Sequence, residues 1–446
     1  MRNRVRAAFG WAGAFLLGAA AAAVPARAAD GMLTLREALD LAARNNEDVA
    51  IAEARVARAR ASRREAYSAF LPDLTLTSTY TRRSREVTRE IDGDTVVVQA
   101  ENALSSAATL DLSLFDARAF PVARSTTRNL EAQEQASAEI RRALAFDVAE
   151  TFFAVLSAER LRDAAQRRIQ VAEATVSDAR IRLDAGLASR NELTRSELEL
   201  ATAQLASTQA QNGVRTTRLA LGFLIGADAD RPLEEPPPRP AESREPEELE
   251  RLAEERRPDL LAALLRAEAA RLLAQEPLLR LVPNLGLRGT YRGTNEAGLS
   301  GRETDWNVAT TLNWSIFDGG AAFAQRAARR AEYREAELVA DALRRRIGVD
   351  IRDARADLDT AQAALEQAEV RARVADQNAE EVRVRFGEGL ATALEQADAA
   401  VSAFEAAAEV ARQRFALAIS QFALRRAVGS WPEESAGPDA PKAGGL

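Results

Sequence analysis

Two hydrophobic periods alternate along the chain, and they come in the same order twice. From residue 35 to about 68, and again from 247 to about 279, Ala-, Arg- and Glu-rich sequence reads as helix. Breaks are expected at Asn45-Asn46 and at Pro258, with a kink at Pro277. After Pro72 and Pro283 the period drops to two. Leu74, Leu76 and Tyr80 alternate with Thr75, Thr77, Thr79 and Thr81, and Leu110, Leu112 and Leu114 alternate with Asp111 and Ser113. The second half offers Leu285 and Leu287, then Leu312, Trp314 and Ile316 set among Thr311, Asn313 and Ser315. Strands are expected over about 73–82, 104–115, 284–293 and 305–317, two in each half.

Beyond each Phe-Asp the pattern turns helical for a very long way. Leu144, Val148, Phe152 and Val155 recur at helical spacing, and neither 122–231 nor 319–431 contains a proline. The turns DAGLASR and GEGLATA interrupt these runs, and their glycines can supply the positive φ that ends a helix and sends the chain back. Two helical hairpins, 117–226 and 319–429, are expected. An ascending arm of roughly 67 residues is about 100 Å long at ~1.5 Å per residue. Such lengths belong to coiled coils or helical tubes.

The recurrence is a tandem duplication. FLPDLTLTSTY (70–80) matches LVPNLGLRGTY (281–291), and LDLSLFD (110–116) matches LNWSIFD (312–318). Further on, AGLAS (185–189) matches EGLAT (388–392), and LIG (224–226) matches AVG (427–429). The chain divides accordingly. An apolar N-terminus at 1–28, with basic residues first and Ala26-Arg27-Ala28 last, reads as a removable secretory signal. The first repeat covers 29–231, a proline-rich linker 232–245, the second repeat 246–431, and a disordered tail 432–446.

Composition then narrows the function. The chain has no Cys and no His, which removes thiolate nucleophiles, imidazole bases and nearly every zinc or iron site. An enzyme is not expected, nor is a cofactor. Loss of the signal, with its four arginines and no acid, takes the net charge from −7 to −11, so nucleic acid is a poor partner. Past the signal no apolar run is long enough for a membrane helix, which leaves strands as the route into a bilayer. Four strands cannot close a barrel, and bacterial outer-membrane barrels begin at about eight. Several chains sharing one barrel would solve this.

The duplication, the junctions LFD and IFD and the paired Gly-Leu-Ala-Ser/Thr turns resemble the TolC-like outer-membrane efflux proteins, from about residue 33 to 429. The resemblance implies a fold that is mainly α with a membrane β part. It implies a homotrimer with a shared twelve-stranded barrel in outer-membrane lipid and a twelve-helix α-barrel across the periplasm of a Gram-negative bacterium. Such a protein is the exit duct of a tripartite efflux pump or a type I secretion system, and its partners are a periplasmic adaptor and an inner-membrane transporter. The adaptor-docking tips carry over to Ala185, Gly186, Leu187, Ala188 and Ser189, and to Glu388, Gly389, Leu390, Ala391 and Thr392. The acidic periplasmic gate carries over to Glu395 and Asp398; after the first turn the same spacing gives Glu192 and then Arg195. Rings of carboxylates at a constriction favour cations. One departure is Ala391, where relatives often have a basic residue that helps lock the mouth; Arg195 or Arg385 could substitute.

Blander readings stand beside these. A solvated helix face accounts for Glu395 and Asp398, a plain connection for the Gly turns, and strand packing for Tyr80, Tyr291, Trp306 and Trp314. A soluble periplasmic coiled-coil adaptor or scaffold is the alternative function.

Overall fold

The computed structural model describes residues 31–91, 94–237, 244–296 and 302–431. The expected signal sequence and C-terminal tail lie outside the described residues, as do 238–243 of the expected linker. Each repeat begins with short helices: α1 (Leu35–Asn45) and α2 (Glu47–Ser68) in the first, α5 (Pro246–Arg256), α6 (Pro258–Leu273) and α7 (Glu276–Leu279) in the second. Asn46 leaves the helical region at ψ 132° and caps α2, its side chain accepting from Asp48 N. Arg257 also leaves the helical region, at ψ 114° and without a side-chain cap, because Pro258 disfavours helix in the residue before it.

One sheet holds β1 (Asp73–Arg82), β4 (Asn102–Phe115), β5 (Asn284–Thr294) and β6 (Thr304–Asn313), antiparallel and in that order. Its register sorts the side chains onto two faces. Leu74, Leu110 and Leu287 share one face with the directly opposed pair Tyr291 and Trp306. Leu74, Leu76, Trp306 and Leu312 are exposed on it, an apolar surface that suits lipid rather than water. The opposite face carries Thr75, Thr77 and Thr79, and an ion pair in which Arg288 donates to Asp111 at 2.6 Å across adjacent strands.

Two features differ from the sequence expectation. The fourth strand ends at Asn313 rather than 317, because β5 starts at Asn284, opposite it, and offers Trp314 to Phe317 no partner. The first-repeat loop holds a separate antiparallel pair, β2 (Val87–Ile91) and β3 (Asp94–Gln99), so the described residues contain six strands, with the expected four in the main sheet.

The long elements are α3 (Ala119–Asp184), α4 (Arg190–Ile225), α8 (Ala321–Gly387) and α9 (Ala393–Val428). Helix α3 packs on α4 and α9, and α9 packs on α8. The four therefore form a wall in the order α4, α3, α9, α8. Two apolar cores fasten this wall to the short helices. One gathers α1 against Phe146, Phe152 and Phe153 of α3, with Leu33 and Leu233 beside it; the other packs Leu249 and Leu260 against Ile347 and Ile351 of α8. Leu233 falls in the expected linker yet is buried, because Glu234 N donates to Leu33 O in a short bridge between chain segments.

Candidate functional site

The far end of the wall is built by two hairpin turns of nearly identical backbone. In the first, Gly186 takes φ 73° and Leu187 N donates to Arg182 O at 2.8 Å; in the second, Gly389 takes φ 75° and Leu390 N donates to Arg385 O at 2.7 Å. Both are helix terminations that a residue with a Cβ adopts only under strain. Each turn leaves a large apolar side chain in water, with Leu187 81% and Leu390 66% exposed.

The helices leaving the turns start differently. Ser189 caps α4 by accepting from Glu192 N at 3.2 Å. Thr392 caps α9 with a full capping box: its hydroxyl accepts from Glu395 N, and Glu395 Oε2 accepts from Thr392 N at 2.7 Å. The backbone hydrogen bond from Thr392, followed by its hydroxyl, holds the Glu395 carboxyl below the usual glutamate range, so it is ionised. Its side chain is directed back onto its own helix start.

The two other expected gate acids come together elsewhere. Glu192 and Asp398 both line a groove of about 970 Å³ bounded by all four long helices, and Arg195 lines it too. Glu395 is not among the residues lining it. Arg385 lies 4.0 Å from Glu381 on its own helix, outside the groove.

Two further residues belong to the site and were not anticipated from the sequence. The Arg182 guanidinium lies 4.0 Å from the centre of the Phe386 ring and 3.1 Å from Asp178. Higher up, Arg168 sits 5.3 Å from the Phe404 ring and donates to Glu199 at 2.6 Å. Both tie the first hairpin to the second. Partners more than 200 positions apart leave no periodic trace in a sequence. No cluster of potential metal-ligating side chains occurs among the described residues, and no described helix is long and apolar enough to cross a membrane.

The comparisons with known proteins agree with this architecture. A family model described as outer membrane efflux protein matches residues 38–227 and 249–430, nearly the whole of both repeats. Protein CyaE of Bordetella pertussis is 27% identical over 344 residues, which is 75% of this chain and 71% of that protein. Among solved structures, the outer membrane protein VceC of Vibrio cholerae superposes with a TM-score of 0.74 at 21% identity, over 90% of this chain and 97% of that one. The Campylobacter jejuni CmeC outer membrane channel superposes with a TM-score of 0.76 at 17% identity, over 90% and 87%. The chain belongs to the outer membrane efflux protein family: it is an outer-membrane exit duct of an efflux or secretion system, with its helical part in the periplasm, and not an enzyme.

Proposed function

We propose that three copies of this chain close one barrel and one tube, that the hairpin tips dock onto a periplasmic adaptor bridging to an inner-membrane transporter, and that the groove acids line the mouth. The observation carrying this reading is the free edges of the main sheet. β1 and β6 each have a partner on one side within the chain, while one face of the sheet is apolar and exposed. A four-stranded sheet of this kind needs neighbours of its own type. Helix α4, at one edge of the wall, supports the same closure: Leu198, Leu205 and Leu219 are exposed at multiples of seven residues, the spacing of a coiled-coil seam.

The docking reading rests on Leu187 and Leu390, which keep their exposure at the ends of two equivalent turns. They offer an adaptor two matching apolar knobs per chain, framed by the backbone of 185–189 and 388–392. For the mouth, Asp398 and Glu192 are the carboxylates that share the groove. Glu395 acts first as a cap, and adds negative potential from beside the groove.

The test is reconstitution. The purified protein is expected to run as a trimer in detergent and to form cation-preferring pores of low conductance in planar bilayers. A monomer that conducts nothing overturns the reading. For the gate, Asp398→Asn combined with Glu395→Gln is informative because glutamine still completes a capping box. Weaker cation preference or higher conductance is expected; unchanged selectivity and conductance would put these acids off the ion path.

A further inference from the structure

Three consecutive arginines on α8, residues 344–346, differ in what they touch. Arg344 pairs with Asp341 at 3.3 Å and with Glu254 at 3.6 Å, and Arg346 pairs with Asp350 at 2.7 Å, all within the chain. Arg345 between them is exposed and has no partner among the described residues. The repeat shows what such a side chain does when it is satisfied. RRALAFDV (141–148) on α3 matches RRRIGVDI (344–351) on α8, at the same 203-position offset that relates Gly226 to Gly429 at the ends of α4 and α9. Arg142 is therefore the counterpart of Arg345.

Arg142 is only 1% exposed, and three groups hold it. It donates to Arg426 O at 2.5 Å, one of the last carbonyls of α9, where a helix end attracts a cation. Glu139, on its own helix, accepts from it at 2.9 Å. Asp259, at the corner packed on the end of α9, feels its charge. Burial works against the Asp259 carboxylate, but the hydrogen bond and charge of Arg257, together with the charge of Arg142, hold its pKa below the usual aspartate value. The socket thus joins an arginine of the first repeat to a helix end and an acid of the second.

The counterparts of that helix end and that acid lie at the free edge of α4. Gly222 O accepts from Gly226 N and Ala227 N, Leu224 O from the Asn46 amide and Ile225 O from the Asn45 amide. Phe223 O, the counterpart of Arg426 O, has no donor among the described residues. The Asn46 corner bonded to this helix end continues into Asp48, the counterpart of Asp259 at the 211-position offset of the short helices. Asp48 is exposed, and its carboxylate has no partner among the described residues. Phe223 itself is 76% exposed, whereas its counterpart Arg426 pairs with Asp147 at 3.2 Å. The counterpart of Asp147 is Asp350, which Arg257 and Arg346 already hold, so an apolar ring here leaves no acid unpaired.

An arginine without an acceptor and an acceptor without an arginine thus stand on α8 and α4, the opposite edges of one wall. Resting on the trimer proposed above, we infer that the Arg345 guanidinium of each copy seats against Phe223 O and the Asp48 carboxylate of the next copy. The joint between copies then repeats the joint inside the chain. Ala342 stands where Glu139 does, so the neighbour's Asp48 becomes the main counter-charge. A guanidinium suits the task because it keeps its charge and can donate to a carbonyl and a carboxylate at once. The contact lies beside the short helices, away from the hairpin tips, and fixes the height at which one copy meets the next.

The rate at which the detergent-solubilised trimer dissociates at a fixed temperature tests this. Arg345→Ala should make dissociation roughly tenfold faster or more, since a hydrogen bond to a charged group is lost at every joint between copies. Arg344→Ala removes a neighbouring arginine whose partners lie in its own chain, and should dissociate like the wild type. Asp48→Asn should also speed dissociation, and adding it to Arg345→Ala should change the rate little further, because both remove one contact. The inference is overturned if Arg345→Ala dissociates no faster than Arg344→Ala, or if the Arg345 and Asp48 effects multiply as independent changes do. Either result on a stable wild-type trimer defeats the socket alone. A wild-type chain that does not form trimers defeats the trimer, and the socket with it.

Discussion

The corners at which the two repeats turn from short helix to short helix do the same job with different chemistry. In the first, the Asn46 amide donates to Leu224 O at 3.0 Å and Asn45 donates to Ile225 O at 3.3 Å. In the second, the residue before Pro258 is Arg257, which reaches Ala427 O at 3.4 Å, the carbonyl equivalent to that of Leu224. A neutral amide completes its bonds with little else around it. A buried guanidinium needs carboxylates, and Asp259 at 2.7 Å and Asp350 at 3.2 Å supply them. Burial works against the Arg257 charge, but these acids outweigh it and leave its pKa raised. Duplication thus preserved the acceptor and left the donor free to change, at the cost of a charge that must be neutralised in place.

That contrast is sharpest under truncation. Arg257→Ala leaves Asp259 without its guanidinium partner in a half-buried site and Asp350 with Arg346 alone, at 2.7 Å, and is expected to cost about 3–5 kcal/mol. Asn46→Ala removes a helix cap and one buried hydrogen bond, and is expected to cost about 1–2 kcal/mol. Denaturant midpoints of the two variants in detergent would check this, and equal losses would show that the charge adds nothing to the second corner.

The glycines facing these corners provide a second comparison. Gly226, at φ 61°, and Gly429, at φ 85°, end α4 and α9 in the left-handed region. An added Cβ would meet Asn45 Cβ at 2.7 Å in the first case and Arg257 N and Cγ at 3.1 Å in the second. Both alanine variants carry the left-handed penalty of about 1–2 kcal/mol. Gly226→Ala adds a true overlap with a packed residue, so its thermal transition should fall further than that of Gly429→Ala. The opposite order would mean that the first corner can shift and the second cannot.

Much of this architecture is legible because duplication states every element twice. The switch from period two to helical period at LFD and IFD identifies the fold class, and the glycine turns identify the hairpins. What escapes has physical reasons. The β2–β3 pair is short and charged in its first strand, although Asp92-Gly93 before a Val-Val-Val run is a hairpin signal that could have revealed it. Trp314 and Ile316 continue the alternation of β6, but alternation cannot report that β5 has ended. Thr392 and Glu395 carry the spacing of a capping box, so the cap was readable there; the stacks of Arg182 and Arg168 on distant rings were not.

Acid separates the corners more gently than mutation. Burial alone would raise the Asp259 pKa, yet the hydrogen bond and charge of Arg257 hold it below the usual aspartate value. A carboxylate lowered in the folded state contributes stability that is fully present above its unfolded pKa, and loses it as pH falls through the lower folded value. The second corner should therefore keep its full strength at neutral pH and weaken only below about pH 4. The stability gap between wild type and Asp259→Asn should narrow on acidification, while the gap for Asn46→Ala, whose amide does not titrate, should not follow it. A gap for Asp259→Asn that is constant from neutral pH to well below 4 would show that the ion pair contributes nothing.

The smallest expected difference lies at the tips. Ser189 caps α4 through one hydrogen bond, whereas Thr392 and Glu395 exchange three. Each hydroxyl cap is worth about 1 kcal/mol. Thr392→Ala removes the hydroxyl that both accepts from Glu395 N and donates to the Glu395 carboxylate, leaving the backbone N–H as the carboxylate's donor, so it should destabilise its helix start slightly more than Ser189→Ala. The same change should let the Glu395 pKa rise toward the ordinary glutamate value, because the Thr392 hydroxyl is one of the groups that lowers it. Hydrogen exchange at the first turns of α4 and α9 would measure the first effect, and carboxyl-carbon NMR titration of Glu395 the second. If Glu395 titrates at the ordinary glutamate value already in the wild type, the carboxylate is not engaged by the cap in solution and is free to turn toward the groove. The division of labour at the mouth would then change, with Glu395 joining Asp398 on the ion path instead of holding the second tip in shape.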